Sequence, residues 1–265
     1  SLLGNTEAFE REKNNFLSVY PNSTLRTTIS NLSTNFYIES GDTEKAIEAL
    51  DKSKANTDDA DVKENNTIKI IGLKLEKKDY KDMEKYLGEI SDPEERAYYS
   101  AQYYAQKKDP KLVKEYETLL KSEKYKAYAS KALGDYYFDK KDLAKAKKYY
   151  GTHVSVNKNP DEYVLYRLGQ ANEKENNLKM ALADYKLVYE KKGKLAEDAM
   201  LRAAEIYDRQ ENNVEAEKLF TKLYATKGNK DLKAYSIEKL IYYKLLNEKT
   251  KEAKKYYDEL KKLDA

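Results

Sequence analysis

A repeat of about 35 residues runs through this sequence and restricts the fold more than any other feature. In the clearest copy, the run ALGDYY at residues 132–137 is followed by Ala146 and Tyr150. The equivalent places one and two periods later are taken by Gly169, Ala181 and Tyr185, and then by Ala204, Ala216 and Phe220. Self-similarity at a fixed period of this length is typical of a stack of two-helix units.

Weaker copies extend the pattern over the rest of the chain. The second helix of each copy carries a small or medium-sized apolar residue, in turn Ala46, Met83, Val113, Ala146, Ala181, Ala216 and Ala253. The steps between them are 37, 30, 33, 35, 35 and 37 residues, so insertions are short and fall in turns. We predict a single all-α array over residues 1–265, with a partial repeat at 1–21. The seven full repeats are predicted at 22–58, 62–92, 93–122, 125–159, 161–193, 195–230 and 231–265.

The residue types of the repeat indicate how its helices pack. Gly or Ala in the middle of the first helix, as at Gly134, allows a neighbouring helix to approach closely. The Ala of the second helix does the same on the other side of the hairpin. Aromatic residues such as Tyr150, Tyr185 and Phe220 are predicted to fill the space between hairpins, because each ring buries roughly 150 to 250 Å².

The composition agrees with an all-helical fold. Charged residues make up 37% of the chain, while Gly and Pro number only 9 and 4, so residues that break helices are sparse. The 50 Lys and Arg residues are interspersed with 47 Asp and Glu residues, as expected on the solvent face of amphipathic helices. An all-β or βαβ fold would need more turns.

The same composition argues against a catalytic, metal or cofactor site. The chain has no Cys and a single His, His153, so neither a thiolate metal site nor a His-based triad can be assembled. We expect His153 to have a structural or surface role. The nine glycines are scattered and do not form a phosphate-binding loop before a helix. We therefore predict that the protein is not an enzyme and has no cofactor.

At these repeat residues the chain resembles the tetratricopeptide repeat (TPR) family. That family's pattern has a Leu-Gly pair in the first helix, an aromatic residue three positions later, and an Ala followed by an aromatic residue in the second helix. The match is best over residues 127–225 and poor over 64–120; Asn172 stands where an aromatic residue is expected. The resemblance implies a right-handed superhelical solenoid of about seven hairpins.

The N-terminal segment adds a narrower resemblance. Phe16 and the run Tyr20-Pro21-Asn22-Ser23, at the end of a helix and before a new one, look like bacterial cell-envelope TPR proteins of the Tol-Pal accessory and outer-membrane-assembly type. This resemblance implies a periplasmic or cell-envelope location. Similar helix exits occur in cytoplasmic TPR proteins, so both compartments stay open, with the envelope favoured. The N-terminal resemblance also implies that residues 1–20 are the second half of a truncated repeat.

In the TPR family, the first helices line a concave groove that binds the ligand. Steps of three and four residues along the matching helices give a predicted peptide-binding groove of Tyr98, Gln102, Tyr128, Lys131, Asp135, Tyr163, Tyr166, Gln170 and Arg202. The last hairpin would add Tyr235, Glu238 and Tyr242. The chain has 26 Tyr but only 5 Phe and no Trp. Surface Tyr residues suit an interface, although for any individual Tyr the favoured interpretation is that it replaces Phe or Trp as core filler.

The partner is therefore predicted to be a protein or a peptide segment. Two alternatives are a self-assembling module, and hence a homo-oligomer, and a regulatory array that belongs to a larger protein. Nucleic acid is disfavoured, because the only support is an excess of 32 basic over 24 acidic residues in residues 121–265. No apolar run approaches the roughly 18 residues that a membrane span needs, so we expect no membrane insertion.

Overall fold

The computed structural model describes residues 2–21, 23–226 and 229–264. These residues form fifteen α-helices and no β-strand. The helices are α1 (Leu2–Val19), α2 (Arg26–Ser40), α3 (Thr43–Ala55), α4 (Ala60–Lys77), α5 (Met83–Gly88), α6 (Pro93–Gln106), α7 (Leu112–Leu119), α8 (Lys126–Asp139), α9 (Leu143–Val156), α10 (Glu162–Lys174), α11 (Leu178–Glu190), α12 (Ala196–Arg209), α13 (Asn213–Tyr224), α14 (Lys230–Leu246) and α15 (Thr250–Asp264).

After α1, the helices pack in consecutive pairs, from α2 with α3 to α14 with α15. This arrangement confirms the predicted all-α solenoid of helical hairpins. The chain divides into two compact units, Ser1–Ser122 and Glu123–Ala265. The continuity of one array over residues 1–265 stays a prediction.

In the first unit, α1 packs on α2 through aromatic rings. Phe9 stacks on Phe36 with ring centroids 4.5 Å apart, and Phe16 lies 5.2 Å from Tyr20 at the end of α1. Asn22, part of the predicted helix exit, lies outside the described residues. The core of this unit is mainly aliphatic further along the chain, where Ile70, Ile71 and Met83 are buried together with Tyr86 and Tyr103.

The turn inside each hairpin has the same backbone geometry. Just after its first helix, each turn has a residue with a positive φ, in turn Gly41, Lys78, Lys108, Lys141, Asn176, Glu211 and Glu248, and the α4–α5 turn has a second one, Asp82. In the turn after α8, the N–H of Lys141 donates to the carbonyl of Phe138 at 3.0 Å and that of Asp142 to Tyr137 at 2.9 Å. These two bonds form a Schellman motif, which satisfies carbonyls at the helix end. The Asp142 side chain then accepts from the N–H of Lys145 and caps α9.

A glycine at position 141 should stabilise the protein. Lys141 has φ +62°, a conformation that strains a residue with a Cβ atom but not glycine. We expect Lys141→Gly to raise the free energy of unfolding by about 0.5 kcal/mol, after the added entropy of the unfolded chain is subtracted. The adjacent Lys140 has φ −75°, so Lys140→Gly should instead cost about 1 kcal/mol. Urea unfolding of both variants tests the pair, and a loss of stability in both would contradict the prediction.

The interior of the best-matching hairpins has a tyrosine ring packed over a glycine. A Cβ atom built on Gly134 would lie 2.4 Å from the ring of Tyr150, and one on Gly169 would lie 2.8 Å from the ring of Tyr185. Both tyrosines are fully buried. Tyr150 also belongs to a cluster with Val164 of the next hairpin, so the ring packs within its own hairpin as well as between hairpins. From the sequence, we predicted only the packing between hairpins.

One hairpin replaces an aromatic pair with a polar pair. In α8 and α9, Tyr137 stacks on Tyr149 with centroids 5.6 Å apart. The same places 35 residues later are Asn172 and Asp184, which are buried and joined by a hydrogen bond of 2.7 Å from Asn172 Nδ2 to Asp184 Oδ2. Burial raises the pKa of Asp184 to about 6, although the Asn172 amide favours the carboxylate. The expected aromatic residue at 172 is thus replaced by a hydrogen-bonded amide.

Candidate functional site

The first helices of the second unit, α8, α10, α12 and α14, form one row. In α10, Val164, Leu165 and Gly169 are buried, whereas the side with Tyr163, Tyr166 and Gln170 is only half-buried. We call this accessible side of the four helices the first-helix face. Its residues are Tyr128, Lys131 and Asp135 in α8; Tyr163, Tyr166, Arg167, Gln170 and Glu173 in α10; Arg202, Glu205 and Asp208 in α12; and Tyr235, Glu238, Lys239, Tyr242, Leu245 and Leu246 in α14.

A lysine joins α8 to the start of α10. Lys131 Nζ lies 2.5 Å from Asp161 Oδ2 and 5.2 Å from the centre of the Tyr163 ring. Burial disfavours the charged form of Asp161, but the hydrogen bonds from Lys131 and from the N–H of Tyr163 outweigh it and hold its pKa below the usual range. The ammonium group and the tyrosine ring are therefore held together by a carboxylate that also caps α10.

An arginine absent from the predicted groove strengthens the same junction. Arg167 donates from Nε to the hydroxyl of Tyr163 at 2.9 Å and from Nη1 to Gln170 Oε1 at 3.4 Å. Its guanidinium also lies 4.5 Å from the centre of the Phe138 ring. Sequence reasoning missed Arg167, although it follows Tyr163 by four residues on the same helix face, which is the spacing that selected its neighbours.

Glu173 connects α10 with α12. It accepts a hydrogen bond of 2.8 Å from the hydroxyl of Tyr185 and one of 2.7 Å from Arg209 Nη2, and Arg202 lies 4.0 Å away. Burial disfavours the charged form of Arg202, but its hydrogen bond to Tyr166 and the charge of Glu173 outweigh burial and raise its pKa. Arg202 thus contacts both Tyr166 and Glu173.

Asp208 plays the same part between α12 and α14. Its Oδ2 pairs with Lys239 Nζ at 2.6 Å, and its Oδ1 accepts a hydrogen bond from the hydroxyl of Tyr243. Burial disfavours the Asp208 carboxylate, but these two partners outweigh it and lower its pKa. Glu173 and Asp208 are one repeat apart in the sequence, and each pairs with a cation of the next first helix. Their tyrosine donors differ, because Tyr185 lies on α11 of the same hairpin and Tyr243 lies on α14.

Buried tyrosine hydroxyls support the carboxylates of the face from the protein interior. Tyr150 donates to Asp135 at 2.7 Å, as Tyr185 does to Glu173 and Tyr243 to Asp208. In all three tyrosines, burial first and the carboxylate second raise the pKa, so the hydroxyl stays protonated and donates. Each acid therefore has a fixed position, and the cations and aromatic rings around it are held in place as well.

The structure brings most of the predicted groove residues into two groups of contacts, one around Tyr163 and one around Arg202. Lys131 meets Tyr163, Tyr163 meets Arg167, Arg167 meets Gln170, and Tyr166 meets Arg202. Asp135 accepts a hydrogen bond from Tyr150, and Tyr128 lies on α8 with 38% of its surface exposed. Tyr98 and Gln102 lie on α6 in the other unit, where the Tyr98 ring packs edge-on against Tyr99 at 5.2 Å. Their part in the groove rests on the sequence pattern.

The single histidine is part of the interior of the α8–α9 hairpin. His153 is buried, and its Nδ1 donates to the carbonyl oxygen of Ala127 at 2.8 Å. Within residues 2–21, 23–226 and 229–264, no group of three or more His, Asp or Glu side chains could hold a metal ion. No helix in the same described part of the chain is both long enough and apolar enough to span a membrane.

Comparison with known proteins identifies the fold. No protein-family model matches the sequence, and no curated protein matches it either. Among solved structures, the chain is similar to the C-terminal part of a TPR repeat-containing protein from Cytophaga hutchinsonii, with a TM-score of 0.66 and 20% sequence identity. That match covers 87% of this chain and 94% of the other. The protein therefore has the helical-hairpin solenoid fold of TPR proteins.

Two further solved structures overlap less closely. MamA matches with a TM-score of 0.48 and 17% identity over 62% of this chain and 94% of its own. The TPR2AB domain of yeast Sti1, solved in complex with pHSP90, matches with a TM-score of 0.32 and 17% identity over 99% of both chains. The fold assignment rests on the Cytophaga hutchinsonii structure.

Proposed function

We propose that this protein is a non-catalytic interaction scaffold that binds a peptide or protein segment on the first-helix face of its second unit. The observation that carries the proposal is the set of partly accessible side chains around Tyr163, Tyr166 and Arg202, each held by a neighbour. Tyr and Arg are the residues that most often dominate binding energy at protein interfaces. Because these side chains are already fixed, little entropy is lost when a ligand binds.

The chemistry of the face suits a peptide. Tyrosine rings provide apolar area, while the free edge of the Arg167 guanidinium and the Gln170 amide can bond to the carbonyls or polar side chains of a ligand. The proposal extends to Tyr98, Gln102 and Tyr128 on the basis of the sequence pattern. We also propose a bacterial, envelope-associated assembly as the setting, supported by the helix exit at residues 20–23. A self-assembling module and a regulatory array within a larger protein are the alternatives.

Selection from a phage-displayed random peptide library tests the proposal. Peptides selected on the wild-type chain should bind Tyr163→Ala/Tyr166→Ala at least about tenfold more weakly, because two anchors of roughly 1 kcal/mol or more are removed. Arg202→Glu should weaken the same peptides without disturbing the core, because the Arg202 side chain is exposed. The binding constants are measured by fluorescence anisotropy, after circular dichroism has shown that each variant is folded.

A matched control comes from the second helices. Met180 and Leu187 are exposed on α11, so Met180→Ala/Leu187→Ala removes apolar surface outside the first-helix face. This variant should bind the selected peptides as the wild type does. If the library yields no specific peptide, or if peptides bind both double variants equally well, the proposed binding face is wrong. A concentration-dependent dimer in light scattering would favour the self-assembling module.

A further inference from the structure

The last turns of α14 expose an apolar stripe at one end of the first-helix face. Tyr242, Leu245 and Leu246 are 54%, 53% and 51% exposed, and steps of three and four residues place them on one side of the helix. The same side carries Tyr235 two helical turns earlier, so the stripe continues the face. Single exposed apolar residues are common on protein surfaces, but a contiguous group is typical of an interaction site.

Unpaired carboxylates lie beside this stripe. Glu238 is exposed and lies four residues before Tyr242 on the same side of α14, and Glu205 lies three residues before Asp208 on α12. Asp208 is paired with Lys239. Within the described part of the chain, neither Glu205 nor Glu238 forms an ion pair with a Lys or Arg side chain. The face at α12 and α14 thus combines exposed apolar surface with uncompensated negative charge.

We propose that this end of the face binds a cationic amphipathic segment of a partner protein, with large apolar residues on one side and Lys or Arg beside them. This inference rests on the proposed function and names the chemistry of its ligand. The apolar residues of the segment cover Tyr242, Leu245 and Leu246. Its cations pair with Glu205 and Glu238. Such complementary charges at an interface increase the specificity of binding and the association rate.

A second copy of this chain fits the stripe poorly. Its helix with the most lysines is α15, where Lys251, Lys254 and Lys255 are exposed. The apolar side of α15, including the buried Ala253, is turned into its own hairpin and cannot cover the stripe at the same time. Two copies that set their α14 stripes against each other would bring Glu205 and Glu238 of one copy close to those of the other. The complementary apolar and basic groups therefore come from a different protein.

A synthetic 14-residue peptide of Leu and Lys in amphipathic order is the probe, and its Leu/Glu counterpart is the control. Fluorescence anisotropy should show saturable binding of the Leu/Lys peptide to the full chain and none of the Leu/Glu peptide. Leu245→Ala/Leu246→Ala should weaken binding about tenfold. Glu205→Gln/Glu238→Gln should weaken it about fivefold at low salt and reduce its salt dependence, since fewer charges then take part.

The controls separate this inference from the proposed function. Asp258→Asn removes an exposed acid on α15, and Met180→Ala/Leu187→Ala removes exposed apolar surface on α11; both should leave binding unchanged. If the Leu/Lys peptide does not bind, or if its affinity is the same in the α14 variants as in the wild type, the inference is overturned. Library peptides that depend on Tyr163 and Tyr166 would then still support the proposed function. A dimer that the Leu245→Ala/Leu246→Ala variant dissolves would overturn the inference in favour of a second copy as the occupant of the stripe.

Discussion

Alanine in place of Gly134 is expected to lower the free energy of unfolding by about 2 kcal/mol, although alanine is the better helix former. The added Cβ atom would lie 2.4 Å from ring carbons of Tyr150, which is fully buried and cannot move away freely. Overpacking of this kind costs about 1 to 3 kcal/mol. Displacement of the ring would also strain the hydrogen bond from its hydroxyl to Asp135, and this loss offsets the gain in helix propensity.

Gly151 provides the matched control. It lies in α9 next to Tyr150, and a Cβ atom there would have no atom within 4 Å. Gly151→Ala should therefore stabilise the protein by about 1 kcal/mol, the ordinary gain from replacing glycine inside a helix. Chemical unfolding of both variants measures the difference. Equal stabilisation by the two substitutions would show that the ring of Tyr150 yields at no cost, and glycine at position 134 would then have no packing role.

The fold was predictable because the repeat consists of small and aromatic residues that are needed for packing between helices. Gly134, Ala146 and Tyr150 recur at one spacing, and the structure shows why, since the ring of Tyr150 lies directly on Gly134. The steps between the left-handed turn residues are 37, 30, 33, 35, 35 and 37, the same as those between the apolar residues of the second helices. Each hairpin is local in sequence, so its pattern can be found without knowledge of tertiary contacts.

The candidate face was predictable only in part. The spacing of Tyr163, Tyr166 and Gln170 places them on one helix side, and the structure agrees. Pairs that join successive hairpins, such as Glu173 with Arg209 or Asp208 with Lys239, are separated by 36 and 31 residues. Their partners depend on the offset between neighbouring helices, which a single sequence does not specify. The buried hydroxyl donors were missed for another reason. Each Tyr was interpreted either as a core residue or as a surface residue, whereas Tyr150 and Tyr185 have buried rings whose hydroxyls bond to carboxylates of the first-helix face.

The sequence indicated only one member of the polar pair that replaces two aromatic residues, Asn172, and not its partner Asp184. Asn172 stood out as a departure from the pattern. Its partner is twelve residues later, which is also the separation of Tyr137 from Tyr149 in the preceding copy. A comparison of both positions together, instead of one at a time, would have paired the amide with the acid.

Asp184→Asn is expected to stabilise the protein by about 2 to 3 kcal/mol at pH 7 and by almost nothing at pH 4. Burial raises the pKa of Asp184 from 3.8 to about 6 in the folded state. Between these values the folded protein holds a proton that the unfolded chain has released, so the stability of the wild type falls as pH rises from about 4 to 6. A difference of roughly two pKa units corresponds to about 3 kcal/mol. Asparagine has no charge to bury and keeps an oxygen that can accept from Asn172.

Asp208→Asn should show the opposite dependence on pH. In Asp208 the hydrogen bonds from Lys239 and Tyr243 outweigh burial and lower the pKa, so the carboxylate stabilises the folded state above pH 4. This contribution is lost as pH falls through the lowered pKa. Asp208→Asn should therefore be less stable than the wild type at pH 7, with a gap that narrows in acid. Thermal unfolding of both variants and the wild type is measured from pH 2.5 to 8. Because the three proteins share all other titrating groups, the difference in stability at each pH reports only on the substituted residue. A gap for Asp184→Asn that does not grow between pH 4 and 6 would mean that this carboxylate is solvated in the folded protein and that its pair with Asn172 is open to water.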